Sequence, residues 1–111
     1  MAVLAGHVEL AAALESGLDV VAGVGRYEDT ARGQIIGEEH GFLKLLAEPD
    51  THALLGIHII GESASELVHV GQMAMTCKAP VEVLAANVFN YPTLAQCYKT
   101  AALDCLQQLR G

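Results

Sequence analysis

The sequence predicts an α+β domain, a largely antiparallel sheet with helices packed on one face. Three observations predict it. After a first helical segment, strand-favouring runs come before Gly61 and helical periods come after it. Two apolar runs flank the turn Glu48-Pro49-Asp50-Thr51, which is the pattern of a hairpin. Hydrophobic residues make up 52% of the 111 residues and charged residues 17%, enough apolar side chain for the core of one domain.

The elements follow in order. Leu4, Val8 and Ala11 or Ala12, with Leu10 and Leu14 alongside, fall at helical spacing, and Gly17 supplies a stop, which predicts a helix over about 5–16. Leu18 to Tyr27 carries Val20, Val21 and Val24, residues that favour a strand. Asp29 to Glu39 holds three acids, two glycines and no sustained period, so it reads as connection. Phe42 to Ala47 alternates around Lys44, and Ala53 to Ile60 is the second apolar run. Between them Pro49 pre-sets φ and Asp50 can bond its own backbone. Gly61 ends that strand. Ser63 and Glu66 have the spacing of a capping box, opening a helix that runs to about Cys77. Pro80 breaks that helix and can open a short one through about Ala86. Asn90-Tyr91-Pro92 is a second break. Thr93 and Gln96 repeat the capping-box spacing, and Leu94, Tyr98, Ala101, Cys105 and Leu109 make one stripe down a final helix.

Charge and hydropathy narrow the partners. Thirteen acids against six bases give −7, with no cluster of Lys or Arg. Nucleic acid needs a basic face to displace counterions, so it is excluded, and anionic membrane surfaces are disfavoured for the same reason. The apolar run Ala53 to Ile60 is far shorter than the ~18 residues of a spanning helix. Met1 to Ala5 has no basic residue and is not a secretory signal. A mean hydropathy of +0.37 in so small a chain therefore points to a surface that lies against a partner.

Cys77, Cys97 and Cys105 are an odd number with no CxxC. On one helix Cys97 and Cys105 stand about 12 Å apart in rise, too far for a disulfide, so buried thiols in a reducing compartment are expected.

Gly23-Val24-Gly25-Arg26-Tyr27-Glu28 follows a strand, but Glu28 stands where a dinucleotide fingerprint needs its third glycine. His52 and His58 share the hairpin without an HxxxH or Cys/His pair, and His69, between Val68 and Val70, reads as a core or interface histidine; no metal is expected. Ser63 and Ser65 are explained by capping, and Glu62 and Glu66 by a solvated helix end. Asn90 to Gln96 is different. A phenol just before a proline, at a helix N-terminus, is held rigidly. It can point into a site or pack under a tight corner, and the residues alone leave both open.

Phe89-Asn90-Tyr91-Pro92-Thr93, continuing through Tyr98-Lys99 and Ala101 to Asp104, resembles the end of the pyridine nucleotide–disulfide oxidoreductases, and most closely their soluble (Si-specific) NAD(P)+ transhydrogenase subgroup. Asp29 to Ile35, His40 to Leu46, Leu55 to Gly61 and Ala64 to Gln72 resemble the same subgroup. The resemblance runs from about Leu10 to Leu109 and covers only the family's C-terminal dimerisation domain.

The resemblance implies that residues 1–111 are one interface domain, a fragment of a longer flavoprotein and lacking the family's first strand. FAD and NAD(P) belong to the parent enzyme's other domains, absent from this chain, and the chain alone is expected to bind neither and to hold no catalytic residue. It implies a cytoplasmic homodimer in which Tyr91, Pro92 and Thr93 form a wall of the partner subunit's flavin site. His69, Met73, Leu94, Tyr98, Ala101 and Cys105 are expected as dimer contacts. Disulfide reductases of the family place a His before this Pro-Thr and a Glu four residues after the proline. Here those positions are Tyr91 and Gln96. A tyrosine titrates near ~10 and an amide does not titrate, so the pair cannot shuttle protons to a thiol at neutral pH. Hydride exchange between NADPH and NAD+ through FAD needs no dithiol. The alternatives are another FAD-dependent member, similar to dihydrolipoamide dehydrogenase, with a diverged dyad, or a stand-alone binding or regulatory protein using the same fold.

Overall fold

The structure, a computed structural model, describes residues 2–4 and 20–110. Its elements are strands β1 (Ala2–Leu4), β2 (Val21–Arg26), β3 (Phe42–Ala47) and β4 (Leu54–Ile60), and helices α1 (Ala31–Ile36), α2 (Ala64–Thr76), α3 (Val81–Ala86) and α4 (Gln96–Arg110). The helix expected over 5–16 lies outside the described residues.

The sheet order is β1-β4-β3-β2, antiparallel throughout. The hairpin forms as expected, with Leu43 opposite Ile59 and Leu45 opposite Ile57. Its turn is organised by a different residue from the one expected. The Glu48 carboxylate accepts from the backbone N–H groups of Asp50 and Thr51 and from the Thr51 hydroxyl, so Glu48 rather than Asp50 holds the corner. The chain is expected to lack the family's first strand; Ala2 to Leu4 nevertheless form β1, which pairs antiparallel with Ile57 to Ile59 of β4.

Two further expectations change. The stretch taken as connection contains α1. The Thr30 hydroxyl accepts from the Gly33 N–H at 3.0 Å while donating to the Tyr27 carbonyl at 2.8 Å, and Gly37 closes the helix at φ 73°. A six-residue helix is too short to show a period, which hid it. Ser63 does precede α2, but at φ 61° and without a side-chain cap bond, so the capping box is not formed there.

The core lies between the sheet and the helices. Leu43, Leu45, Ile57 and Ile59 point from the sheet onto Val81 and Leu84 of α3 and Cys97, Tyr98, Ala101 and Cys105 of α4. Helix α4 rests directly on β2. A Cβ on Gly23 would sit 2.1 Å from the Ala101 carbonyl oxygen, and one on Gly25 would sit 2.4 Å from that of Cys97. The Gly-Val-Gly pattern therefore serves the close approach of a helix to a strand, with no room for a phosphate.

Candidate functional site

Helix α3 ends at Asn87, whose amide donates to the Val83 carbonyl at 2.7 Å. The chain then runs outward through Val88, 93% exposed, to the corner at Asn90-Tyr91-Pro92-Thr93, where the Tyr91-Pro92 bond is cis. The Thr93 hydroxyl donates to the Asn90 carbonyl at 2.7 Å, and Leu94 is buried, so the corner is closed from within and anchored from below. Thr93 spends its hydroxyl on Asn90, and α4 begins at Gln96, so the second capping box is not formed either.

Of the two readings the residues left open for Tyr91, the structure takes the outward one. Its ring is 76% exposed and lines an open cleft of about 450 Å³. Asp29, Thr30 and Gln34 form one wall and Gln96, Lys99 and Thr100 the other. Tyr91 and Gln96, the two positions expected to correspond to the family's acid–base dyad, thus share one cleft. Thr93 turns away and lines a second groove of about 350 Å³ with Arg32, Ser63 and Leu67. The three residues expected as one wall are therefore split between two faces of the corner.

The sequence reading missed two cations that brace this corner. Arg32 Nε donates to the Pro92 carbonyl at 3.2 Å, and Lys99 Nζ donates to the Asn87 carbonyl at 3.3 Å. Both sit inside segments that carry the resemblance, and a chain with six basic residues offers few to choose from.

The residues lining the cleft include no imidazole and no thiol. The nearest thiol along the chain, Cys97, is buried, which pushes it up to about 12; burial likewise pushes Cys105 up to about 11. No group of His, Cys, Asp and Glu among the described residues could hold a metal ion. No described helix is long and apolar enough to cross a membrane.

The expected interface residues divide sharply. His69 and Met73 lie on the outward face of α2, where His69 Nδ1 donates to the Gln72 amide oxygen at 2.8 Å and Met73 is 63% exposed. Leu94, Tyr98, Ala101 and Cys105 do not face outward. Tyr98, Ala101 and Cys105 have no exposed surface even in the single chain, and Leu94 is 7% exposed. Their stripe is real, but it packs on the chain's own sheet, so the expectation of dimer contacts is corrected for these four.

The family model described as the pyridine nucleotide-disulphide oxidoreductase dimerisation domain matches residues 5–102. The soluble pyridine nucleotide transhydrogenase of Mycobacterium tuberculosis is 48% identical over 97 residues, 87% of this chain and 21% of that protein. The protein of the same name from Hahella chejuensis is 44% identical over 86 residues, 75% of this chain and 18% of that protein. The chain thus spans about a fifth of the length of these curated relatives. Among solved structures, LpdA from Mycobacterium tuberculosis superposes with a TM-score of 0.81 at 23% identity, over 87% of this chain and 21% of that one. The HOCl-induced flavoprotein disulfide reductase RclA from Escherichia coli does so with a TM-score of 0.80 at 20% identity, over 87% and 22%. At these identities the likeness establishes the fold.

Proposed function

Because the chain belongs to the pyridine nucleotide-disulphide oxidoreductase dimerisation-domain family, we propose that it is the interface domain of a larger homodimeric, cytoplasmic flavoenzyme exchanging hydride between NADPH and NAD+. The outward faces of His69 and Met73 meet a second copy. Tyr91, standing clear of its own subunit, reaches the partner's flavin site as a hydrogen-bonding wall, with Pro92 fixing its approach.

The observation that carries this reading is the shared cleft of Tyr91 and Gln96. A disulfide reductase needs an imidazole and a carboxylate there to move a proton to and from a thiol. A phenol and an amide can orient and exclude water, but they leave a dithiol without its acid–base partner. FAD, held by segments outside this chain, would supply the hydride relay between NADPH and NAD+, and Tyr91 and Gln96 would only line its site. The chain's own glycine pair is packed beneath α4 and does not cradle that group. Alone, the domain is catalytically silent.

An antibody raised against the chain, applied to extracts of its source cells, tests the proposal. The expected result is a band several-fold larger than 11.7 kDa that purifies with flavin and with NADPH-to-NAD+ hydride transfer. A band at 11.7 kDa, or a larger flavoprotein that reduces disulfides instead, overturns it.

A further inference from the structure

The buried phenol of Tyr98 occupies an unusual place. Its oxygen accepts from the Gly71 N–H at 3.0 Å and donates to the Leu67 carbonyl. Leu67 and Gly71 are four residues apart in α2, the pair whose carbonyl and N–H an uninterrupted helix joins directly. The hydroxyl of a side chain on α4 thus bonds both backbone groups of one turn of α2. The fit is tight: a Cβ on Gly71 would lie 3.2 Å from the Tyr98 ring and closer still to Ile57, so only glycine admits the phenol and the strand together.

A hydroxyl bonded to both groups ties that turn of α2 to α4 and restricts the placement of the residues on either side of it. Here the tethered turn spans Leu67 to Gly71, with His69 inside it and Met73 just beyond. From this geometry we infer that Tyr98 is a positioning residue for the homodimer: its hydroxyl sets the shape of α2 and so the relative placement of the outward side chains His69 and Met73 against a second copy. The inference rests on the homodimer proposed above and assigns part of its specificity to a residue that touches no partner. It also gives Tyr98 an interface role through α2, in place of the direct contact its stripe suggested.

The variant Tyr98→Phe keeps the ring and deletes only the hydroxyl, so that α2 loses both of these bonds to α4. Sedimentation equilibrium of the full chain and its variant, with amide exchange read at Gly71 and at Leu45, is the test. The expected result is a dimer dissociation constant raised about tenfold and faster exchange at Gly71, with Leu45 in the sheet unchanged. A folded variant that dimerises as well as the parent overturns the inference and leaves the homodimer standing. A parent chain that never dimerises overturns both. Should the variant fail to fold, exchange at Gly71 in the parent decides. Protection that rises with the dimer population supports the inference, since coupling is reciprocal, and protection independent of concentration overturns it.

Discussion

The backbone N–H of Val24 donates to the carboxylate of Asp104 across 2.9 Å, joining two residues 80 positions apart in the chain. Val24 lies on β2, an outer strand among the described residues, and its N–H faces away from β3. Gln108, one turn further along α4, donates its amide to the Ala22 carbonyl on the same edge at 2.8 Å and to Asp104 at 3.3 Å. Two polar side chains thus occupy backbone groups that would otherwise be open to another strand.

Replacing Asp104 by Ala leaves the Val24 N–H without its acceptor and should cost ~1–3 kcal/mol of stability. Asp104→Asn keeps an oxygen in place and should recover most of the loss. Urea unfolding of both variants checks this, together with exchange at the Val24 amide, which is expected to quicken only in the Ala variant.

Gly23→Ala forces a methyl onto the Ala101 carbonyl and the Cys105 sulfur. Overpacking against a backbone that cannot yield places the expected loss at the upper end of ~1–3 kcal/mol, and thermal unfolding reads it. A stable Ala variant would mean that α4 does not rest on β2 as described.

The same glycines show where the sequence was legible and where it was not. The hairpin could be read because Leu43, Leu45, Ile57 and Ile59 alternate on either side of a turn, and alternation is a local property. The stripe Leu94, Tyr98, Ala101, Cys105 was equally visible, but its spacing says only that one face is apolar. Whether that face meets the chain's own sheet or a second copy depends on Gly23 and Gly25, about 75 residues away, which local reading does not connect. The corner at Tyr91 was legible as rigid. Its direction was not, because the Arg32 bond to the Pro92 carbonyl comes from a helix that Thr30 and Gly37 define without any period.

Thiol reactivity follows from burial. Cys77 is exposed, whereas Cys97 and Cys105 are buried, with thiols pushed up to about 12 and about 11. A chromogenic disulfide reagent at neutral pH should modify one thiol per folded chain and all three after denaturation. Rapid modification of a second thiol without unfolding would contradict the packing of α4.

Stability should decline in mild acid. The His52 imidazole bonds the Glu82 carboxylate, tying the hairpin turn to α3, and this holds Glu82 below the ordinary 4.5. Backbone N–H groups and the hydroxyl of the same turn lower Glu48 as well. A depressed carboxylate contributes stability that is complete above its unfolded value and is lost as pH falls through the lower folded one. Glu82 is exposed and Glu48 only half-buried, so the effect is small. Unfolding midpoints followed from pH 6 downward should fall less steeply below ~4.5 in Glu82→Gln than in the parent. An identical slope in the two proteins would remove the ion pair from the account.

By the function proposed above, the outward face of α2 joins two copies of this chain. Sedimentation equilibrium of the chain and of Met73→Glu, which places a charge on that face, is the measurement that decides it. A mass about twice 11.7 kDa is expected for the chain and a single-chain mass for the variant. A single-chain mass at every concentration, or a dimer indifferent to the charge at Met73, would contradict it.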